Sequence, residues 1–138
     1  LVQALCYEVI DAYITNSQEQ VQSKKQTRKD KIFQNFLVAL HQNFRMHRDV
    51  KFYAKLQHLT PRYFSTLVHA VSGKTPTQWI SLFVITEAKQ LLSNPKTSIK
   101  EVANKLNFTE QSFFRRYFKQ YTGYSPSEYR TLSTNRNL

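Results

Sequence analysis

The sequence has 138 residues, enough for one ordinary domain with a short appendage but too few for two full domains. Glycine occurs twice, proline four times and cysteine once, so the composition favours helices and excludes an internal disulfide. The formal net charge is +11, and no apolar run reaches the roughly 18 residues that a membrane-spanning helix needs. We therefore expect a protein of the reducing cytoplasm that does not associate with a membrane.

The charge is distributed unevenly along the chain. Residues 1–23 carry three acidic side chains and no lysine or arginine, whereas residues 24–138 hold all 20 basic side chains against six acidic ones. The second stretch therefore has a net charge of +14. A compact domain with such an excess repels itself, which favours a polyanionic partner such as nucleic acid.

Residues 1–15 are predicted to form an amphipathic helix. Apolar side chains recur there at spacings of three and four, namely Val2, Leu5, Cys6, Val9, Ile10, Tyr13 and Ile14. We interpret this helix as the remainder of an absent N-terminal sensing or dimerisation domain, in a chain that is the C-terminal part of a longer protein. The helix could instead pair with a second copy of the chain. Residues 16–30 are polar and are predicted to be a linker.

Seven further helices are predicted between residues 31 and 132, followed by a tail over 133–138. They are expected at about 31–46, 50–57, 61–72, 76–92, 98–106, 110–122 and from 126 through Tyr129. Threonine or serine followed by proline, at positions 60–61, 75–76 and 125–126, supplies an N-cap and a first helical residue whose missing N–H costs nothing. Gly73 and Gly123 are expected to end the third and sixth of these helices.

The order of signals in this region occurs twice. The first copy contains Ala54, Leu59-Thr60, Tyr63-Phe64, Ser72-Gly73 and Thr75-Pro76. The second copy, about 50 residues later, contains Ala103, Phe108-Thr109, Phe113-Phe114, Thr122-Gly123 and Ser125-Pro126. Such an internal repeat predicts two copies of one supersecondary unit. The predicted division is a first unit over 31–74, a linker helix over 76–93 and a second unit over 97–132.

Each copy has the pattern of a helix-turn-helix. A small residue, Ala54 or Ala103, allows the next helix to cross closely, and an apolar turn residue, Leu59 or Phe108, fills the corner. The second helix is expected to bury Phe64, Leu67, Val68 and Val71 in one copy and Phe114, Tyr117, Phe118 and Tyr121 in the other.

The opposite faces of these second helices are polar. They carry Arg62, Ser65, Thr66 and His69 in the first copy, and Gln111, Ser112, Arg115, Arg116 and Lys119 in the second. An α-helix fits the major groove of B-DNA, where arginine and glutamine read base edges. The sequence therefore predicts binding to double-stranded DNA, against the alternative that both faces are simply solvated.

The stretches LTPRYFSTLVHAVSGKTPTQWI and SIKEVANKLNFTEQSFFRRYFKQYTGYSPSEYR resemble the DNA-binding domain of AraC/XylS-type regulators over residues 31–132. The resemblance implies an all-α domain of seven helices, in which two helix-turn-helix subdomains are joined by a central linker helix, in addition to the N-terminal helix. It implies that the nine polar residues given above face DNA, that the chain regulates transcription as an activator, and that RNA polymerase is a partner. It also implies a separate sensing or dimerisation domain, and no cofactor.

Two positions depart from the pattern of that family. Gln57 stands where an apolar residue is usual, which predicts shifted or looser packing of the first unit. Val68 and His69-Ala70 replace bulkier and more basic residues, so the first recognition helix is less basic than the second.

The linker helix sets the predicted mechanism. About 17 residues at 1.5 Å each span about 25 Å, a length that suits two recognition helices about one DNA turn (~34 Å) apart. One chain would then read two successive major-groove segments, with Arg116 on a guanine and Lys119 on a phosphate.

Two other classes of protein were weighed against a DNA-binding regulator. An enzyme is disfavoured because the sequence has no glycine-rich phosphate loop, no paired carboxylates and no nucleophile with a base nearby. A module that binds RNA or protein is disfavoured because the aromatic residues fall at positions predicted to be buried on helices. The four histidines lack ligand spacing, so no metal site is expected.

Overall fold

The computed structural model describes residues 27–136, which hold seven helices and no strand. The helices are α1 (Arg28–Asn43), α2 (Val50–Leu56), α3 (Pro61–Ser72), α4 (Pro76–Leu92), α5 (Ile99–Lys105), α6 (Gln111–Thr122) and α7 (Pro126–Arg136). The predicted all-α class is therefore confirmed. Among the described residues, no helix is both long and apolar enough to cross a bilayer.

The described residues divide into two compact units, 27–83 and 84–136. The first contains the helix-turn-helix formed by α2 and α3, and the second contains the one formed by α5 and α6. Helix α4 is continuous through the division, as predicted for the linker helix.

Helix α1 begins three residues before the predicted position. Thr27 and Asp30 form a capping box in which the Thr27 hydroxyl accepts from the Asp30 N–H at 3.2 Å and the Asp30 carboxylate accepts from the Thr27 N–H at 3.4 Å. The linker predicted for 16–30 therefore includes the first turn of a helix at 28–30. The predicted helix over 1–15 and the linker residues 16–26 lie outside the described residues.

The predicted tail over 133–138 is wrong for residues 133–136, which belong to α7. Neither glycine nor proline follows Pro126, so nothing in the sequence stops the helix at Tyr129. The hydroxyls of Thr131 and Thr134 donate to carbonyls four residues earlier, at 3.1 and 2.9 Å, which is compatible with continued helix. Residues 137 and 138 lie outside the described part of the chain.

The core of the first unit is built from aromatic rings. Phe36 of α1 is fully buried and makes edge contacts with Tyr53 and Phe64, at ring-centroid distances of 5.5 and 5.1 Å. Trp79 packs on Phe33 and donates its indole N–H to the Ser72 hydroxyl at 2.9 Å, so it is a packing residue. Gln57 is half-buried, and its amide donates to the Ile32 carbonyl at 3.0 Å, which joins the turn to α1.

Burial also determines the state of one titratable group in this core. The Tyr53 hydroxyl donates to the His47 carbonyl at 2.7 Å. Burial, with a smaller contribution from the Asp49 carboxylate, raises the pKa of Tyr53. Burial thus favours the neutral phenol, which is the form that donates to this carbonyl.

The second unit is held together by α6 and α7. Phe114 and Phe118 are fully buried, as predicted, with Phe108 against Phe114 and Tyr129 against Phe118. Tyr121 was predicted to be buried but is 38% exposed, because it lies in the last turn of α6, one turn beyond Tyr117. The half-buried Arg130 donates to the carbonyls of Leu92, Asn94 and Thr97, joining α7 to the segment after α4.

Helices α3 and α6 end with the same local geometry. The hydroxyl of Ser72 shares its proton between the carbonyls of residues 68 and 74 and accepts from the N–H of Lys74; the hydroxyl of Thr122 does the same at 118 and 124. Gly73 and Gly123 follow with φ of +78° and +82°, a conformation that glycine adopts without strain. The predicted N-caps Thr75 and Ser125 each form a capping box, with Gln78 and Glu128 respectively.

The helix-turn-helix corners also match. His58 and Asn107 both have left-handed φ, +57° and +59°, and each precedes the apolar residue that enters the corner. The following N–H groups, of Leu59 and Phe108, donate to the carbonyls of Ala54 and Ala103 at 3.0 and 2.9 Å. Tight reversal of the chain therefore depends on one left-handed residue in each corner.

Substitution of His58 tests the importance of this conformation for stability. Because a left-handed L-residue costs roughly 1–2 kcal/mol and a β-branched one is worse, His58→Val should lower the free energy of unfolding by about 1–2 kcal/mol. His58→Asn should leave it unchanged, since asparagine tolerates this region. Urea unfolding measures both variants, and equal stability of the valine variant and the wild type would contradict the corner geometry.

A second prediction concerns Arg130. Arg130→Met keeps the apolar stem but removes the guanidinium that bonds three carbonyls, so unfolding should become easier by about 2–3 kcal/mol. Arg130→Lys, which retains the charge without the fork of donors, should lose part of this stability. Thermal melting followed by circular dichroism provides the measurement; unchanged melting of the methionine variant would show that the three bonds contribute nothing.

Candidate nucleic-acid interface

Helix α6 has one apolar side and one polar side. Phe114 and Phe118, four residues apart, are buried, and they turn the opposite side of the helix to solvent. Of the five residues predicted to face DNA from α6, four are exposed and one is half-buried; the exposed ones are Ser112, Arg115, Arg116 and Lys119, and Gln111 is half-buried. The structure thus brings the predicted residues onto one accessible helix surface.

The exposed surface of α6 is strongly basic. Residues 111–122 contain Arg115, Arg116 and Lys119 and no acidic side chain. Lys119 lies in the last turn of the helix. The three cations therefore cover more than one turn of the exposed surface, which suits contact with the phosphates flanking a groove.

Helix α3 presents the corresponding residues of the first unit with less charge. Arg62, Thr66 and His69 are exposed, and Ser65 is half-buried. Arg62 is the one lysine or arginine between residues 61 and 72. The Thr66 hydroxyl donates to the Arg62 carbonyl at 3.0 Å, so its proton is used within the helix and the hydroxyl is left as an acceptor.

Sequence reasoning missed Glu110, which is the N-cap of α6. The Glu110 side chain makes no capping bond to the helix backbone, and its carboxylate instead accepts from the Ser112 hydroxyl at 3.3 Å. The Glu110 carboxylate therefore lies beside the predicted DNA-facing residues and is hydrogen-bonded to one of them, Ser112. The signal was present in the sequence as a single acidic residue directly before a basic helix.

Phe113 was also missed, because the repeat pairs it with Phe114 as an apolar motif. Phe114 is fully buried, whereas Phe113 is 43% exposed, at the boundary between the apolar and the polar side of the helix. The guanidinium carbon of Arg116 lies 5.1 Å from the centroid of the Phe113 ring, within the range of a cation–π contact. The helical period separates adjacent residues by about 100°, so only one of two neighbouring aromatics points into the core.

The second unit also contains a cavity of about 410 Å³. It is lined by residues that were not predicted to bind DNA, namely Lys89, Tyr121, Thr122, Tyr124, Tyr129, Leu132 and Ser133. Among residues 27–136, no three histidine, cysteine or acidic side chains come together as a metal site would require. The exposed surfaces of α3 and α6 remain the candidate interface.

Comparison with known proteins links this architecture to transcription regulators. The sequence profile of a helix-turn-helix domain family matches residues 53–131. The arabinose operon regulatory protein of Salmonella typhimurium is 36% identical over 84 residues, which are 61% of this chain and 30% of that protein. The uncharacterized HTH-type transcriptional regulator YisR of Bacillus subtilis is 30% identical over 93 residues, 67% of this chain and 32% of that protein.

Solved structures show the same fold. The DNA-binding domain of AdpA, in complex with a target DNA, matches with a TM-score of 0.65 and 24% identity, over 75% of this chain and 94% of that one. The C-terminal domain of AraT, a response regulator from Geobacillus stearothermophilus, matches with a TM-score of 0.68 and 22% identity, over 77% and 88%.

The chain spans about a third of the length of the curated relatives that it matches first. The family match, in contrast, extends over more than half of the chain, from within α2 through the helix-turn-helix of α5 and α6. The protein therefore belongs to the helix-turn-helix family of AraC/XylS-type transcription regulators.

Proposed function

We propose that the chain binds specific sequences in double-stranded DNA and thereby regulates transcription, with α3 and α6 as its recognition helices. The observation that carries this proposal is the surface of α6, where three cations lie on the exposed side of a helix whose other side is locked in the core. A helix held in this way presents its side chains without having to order itself on binding, which lowers the entropic cost of association.

The residues of α6 divide into two roles. Arg116 reads a base, since a guanidinium bonds the O6 and N7 of guanine with two parallel hydrogen bonds. Gln111 and Ser112, in the first turn, lie where a recognition helix approaches base edges. Lys119 and Arg115 contact phosphates, which position the helix and carry no sequence information.

Helix α3 reads a second segment of the same duplex, with Arg62, Ser65, Thr66 and His69 as its contacts. Its smaller charge predicts that it contributes less to the salt-dependent part of the affinity. The 17 residues of α4, about 25 Å in length, support the hypothesis that one chain reads two successive major-groove segments.

The remaining features of the full protein are proposals from relatedness. The family is one of DNA-binding regulators rather than of enzymes. We propose action in the cytoplasm as an activator, with RNA polymerase as a partner and a sensing or dimerisation domain elsewhere in the protein. A homodimer contact through residues 1–15 or through that domain belongs to the same proposal.

RNA is the alternative polyanion. Sequence-specific RNA binding generally uses aromatic stacking on a sheet or single-stranded loops, and residues 27–136 contain no strand. Competition between duplex DNA and structured RNA for the labelled protein distinguishes the two, and preference for RNA would overturn the proposal.

Replacement of Arg116 tests base reading. Arg116→Ala should weaken binding to the selected duplex by about 1–3 kcal/mol and relax the preference at one base pair. Arg116→Lys is the matched control, because it keeps the charge and loses the planar fork. Binding-site selection with each variant is the measurement, and an equal loss on all sequences would reduce Arg116 to a phosphate contact.

Replacement of Lys119 tests a phosphate contact. Lys119→Ala should weaken binding to cognate and unrelated duplexes by similar factors, and the slope of log K against log salt should fall by about 0.9. Lys119→Arg should restore both. Titrations between low and moderate salt give the slope; if the alanine variant keeps the wild-type slope, Lys119 does not lie on a phosphate.

A further inference from the structure

We propose that Phe113 is a specificity-determining residue of α6, which contacts the methyl group of a thymine and positions the Arg116 guanidinium for a guanine nearby. This inference rests on the proposed DNA-binding function and adds the base preference of one recognition helix.

The ring of Phe113 is 43% exposed, at the edge of the polar side of α6, although the next residue, Phe114, is completely buried. Phe113 lies beside Ser112 on the chain and one helical turn before Arg116, so it belongs to the surface that faces DNA. An exposed ring on that surface is available for apolar contact with a base edge.

An exposed aromatic ring also occurs at the corresponding position of the first unit. Tyr63 occupies the corresponding position of α3 and is 49% exposed, while its neighbour Phe64 is buried. The two units thus place an exposed aromatic ring at the same register of each recognition helix. In α3, however, the residue one turn later is Thr66 rather than arginine, so only α6 combines a ring with a cation.

The Phe113 ring also contacts the guanidinium of Arg116. The Arg116 guanidinium carbon is 5.1 Å from the Phe113 ring centroid. A planar guanidinium that rests on a ring has fewer orientations available, so less entropy is lost when it bonds a base. Phe113 therefore acts as a positioning residue for Arg116, in addition to the contact that its own ring makes with DNA.

The chemistry of the major groove identifies the base that the Phe113 ring contacts. Thymine is the base that presents a methyl group there, and phenylalanine makes apolar contact with that group. A ring and a guanidinium 5.1 Å apart reach base pairs that are one or two steps from each other, since successive base pairs are about 3.4 Å apart. The predicted element of the site is a thymine within two base pairs of the guanine read by Arg116.

Deoxyuridine provides a direct test, because it pairs as thymine does and lacks only the methyl group. The wild-type chain first selects its site from a random duplex pool, and each thymine of that site is then replaced singly by deoxyuridine. One replacement, near the guanine whose preference is relaxed in Arg116→Lys, should weaken binding about fourfold, the factor expected for burying one methyl group.

Two substitutions of Phe113 separate its two roles. Phe113→Ala should bind the thymine and deoxyuridine duplexes equally and should also lose part of the guanine preference. Phe113→Leu should keep discrimination against deoxyuridine, since leucine is apolar, but it should lose guanine preference because no ring holds Arg116. Tyr63→Ala is the matched control and should leave discrimination at this thymine intact. Thermal melting of each variant establishes that it is folded.

The outcomes distinguish this inference from the proposed function. Absence of any selected sequence would overturn DNA recognition itself. A selected site that tolerates deoxyuridine at every thymine, or a Phe113→Ala variant that discriminates as the wild type does, would overturn the role of Phe113 while leaving DNA recognition in place. If Phe113→Ala does not fold, Phe113→Leu decides the positioning role, and unchanged guanine preference in that variant would contradict it.

Discussion

The candidate interface depends on the burial of one side of α6. Phe114 and Phe118 are removed from solvent against Phe108 and Tyr129, and this fixes the rotation of the helix about its own axis. Because the rotation is fixed, Arg115, Arg116 and Lys119 must lie on accessible surface, despite the repulsion among them. The favourable burial of large aromatic rings outweighs that repulsion in the folded chain, and a polyanion would remove it. The fold of the second unit and the proposed DNA contact of α6 therefore depend on the same buried aromatic residues.

The sequence was most informative where a residue has one physical role. Threonine or serine before proline identified three helix starts, and the glycines at 73 and 123 identified two ends, because few other residues meet those backbone requirements. The internal repeat helped further, because a position that was ambiguous in one copy could be compared with its counterpart in the other. As a result, the order of the seven helices followed from the sequence, and all nine predicted DNA-facing residues are exposed or half-buried.

Features that depend on tertiary contact could not be predicted. Nothing local in the sequence marks Arg130 as the residue that bonds three carbonyls after α4, because its partners lie 33 to 38 positions away. The left-handed conformation of His58 was equally hidden, since histidine is not a usual turn signal. Phe114 was predicted to be buried from the helical period, but the contact between Phe113 and Arg116 appeared only with coordinates. The use of the Thr66 hydroxyl within its own helix likewise appeared only with coordinates.

The central claim is that the basic surface of α6 recognises a particular duplex sequence rather than any polyanion. The most direct measurement compares the affinity of the chain for its selected duplex with its affinity for a scrambled duplex of the same length and composition, at physiological salt. We expect the affinity for the selected duplex to exceed that for the scrambled duplex by a factor of about 10³ or more, as is typical of specific recognition. Equal affinities for the two duplexes would contradict it.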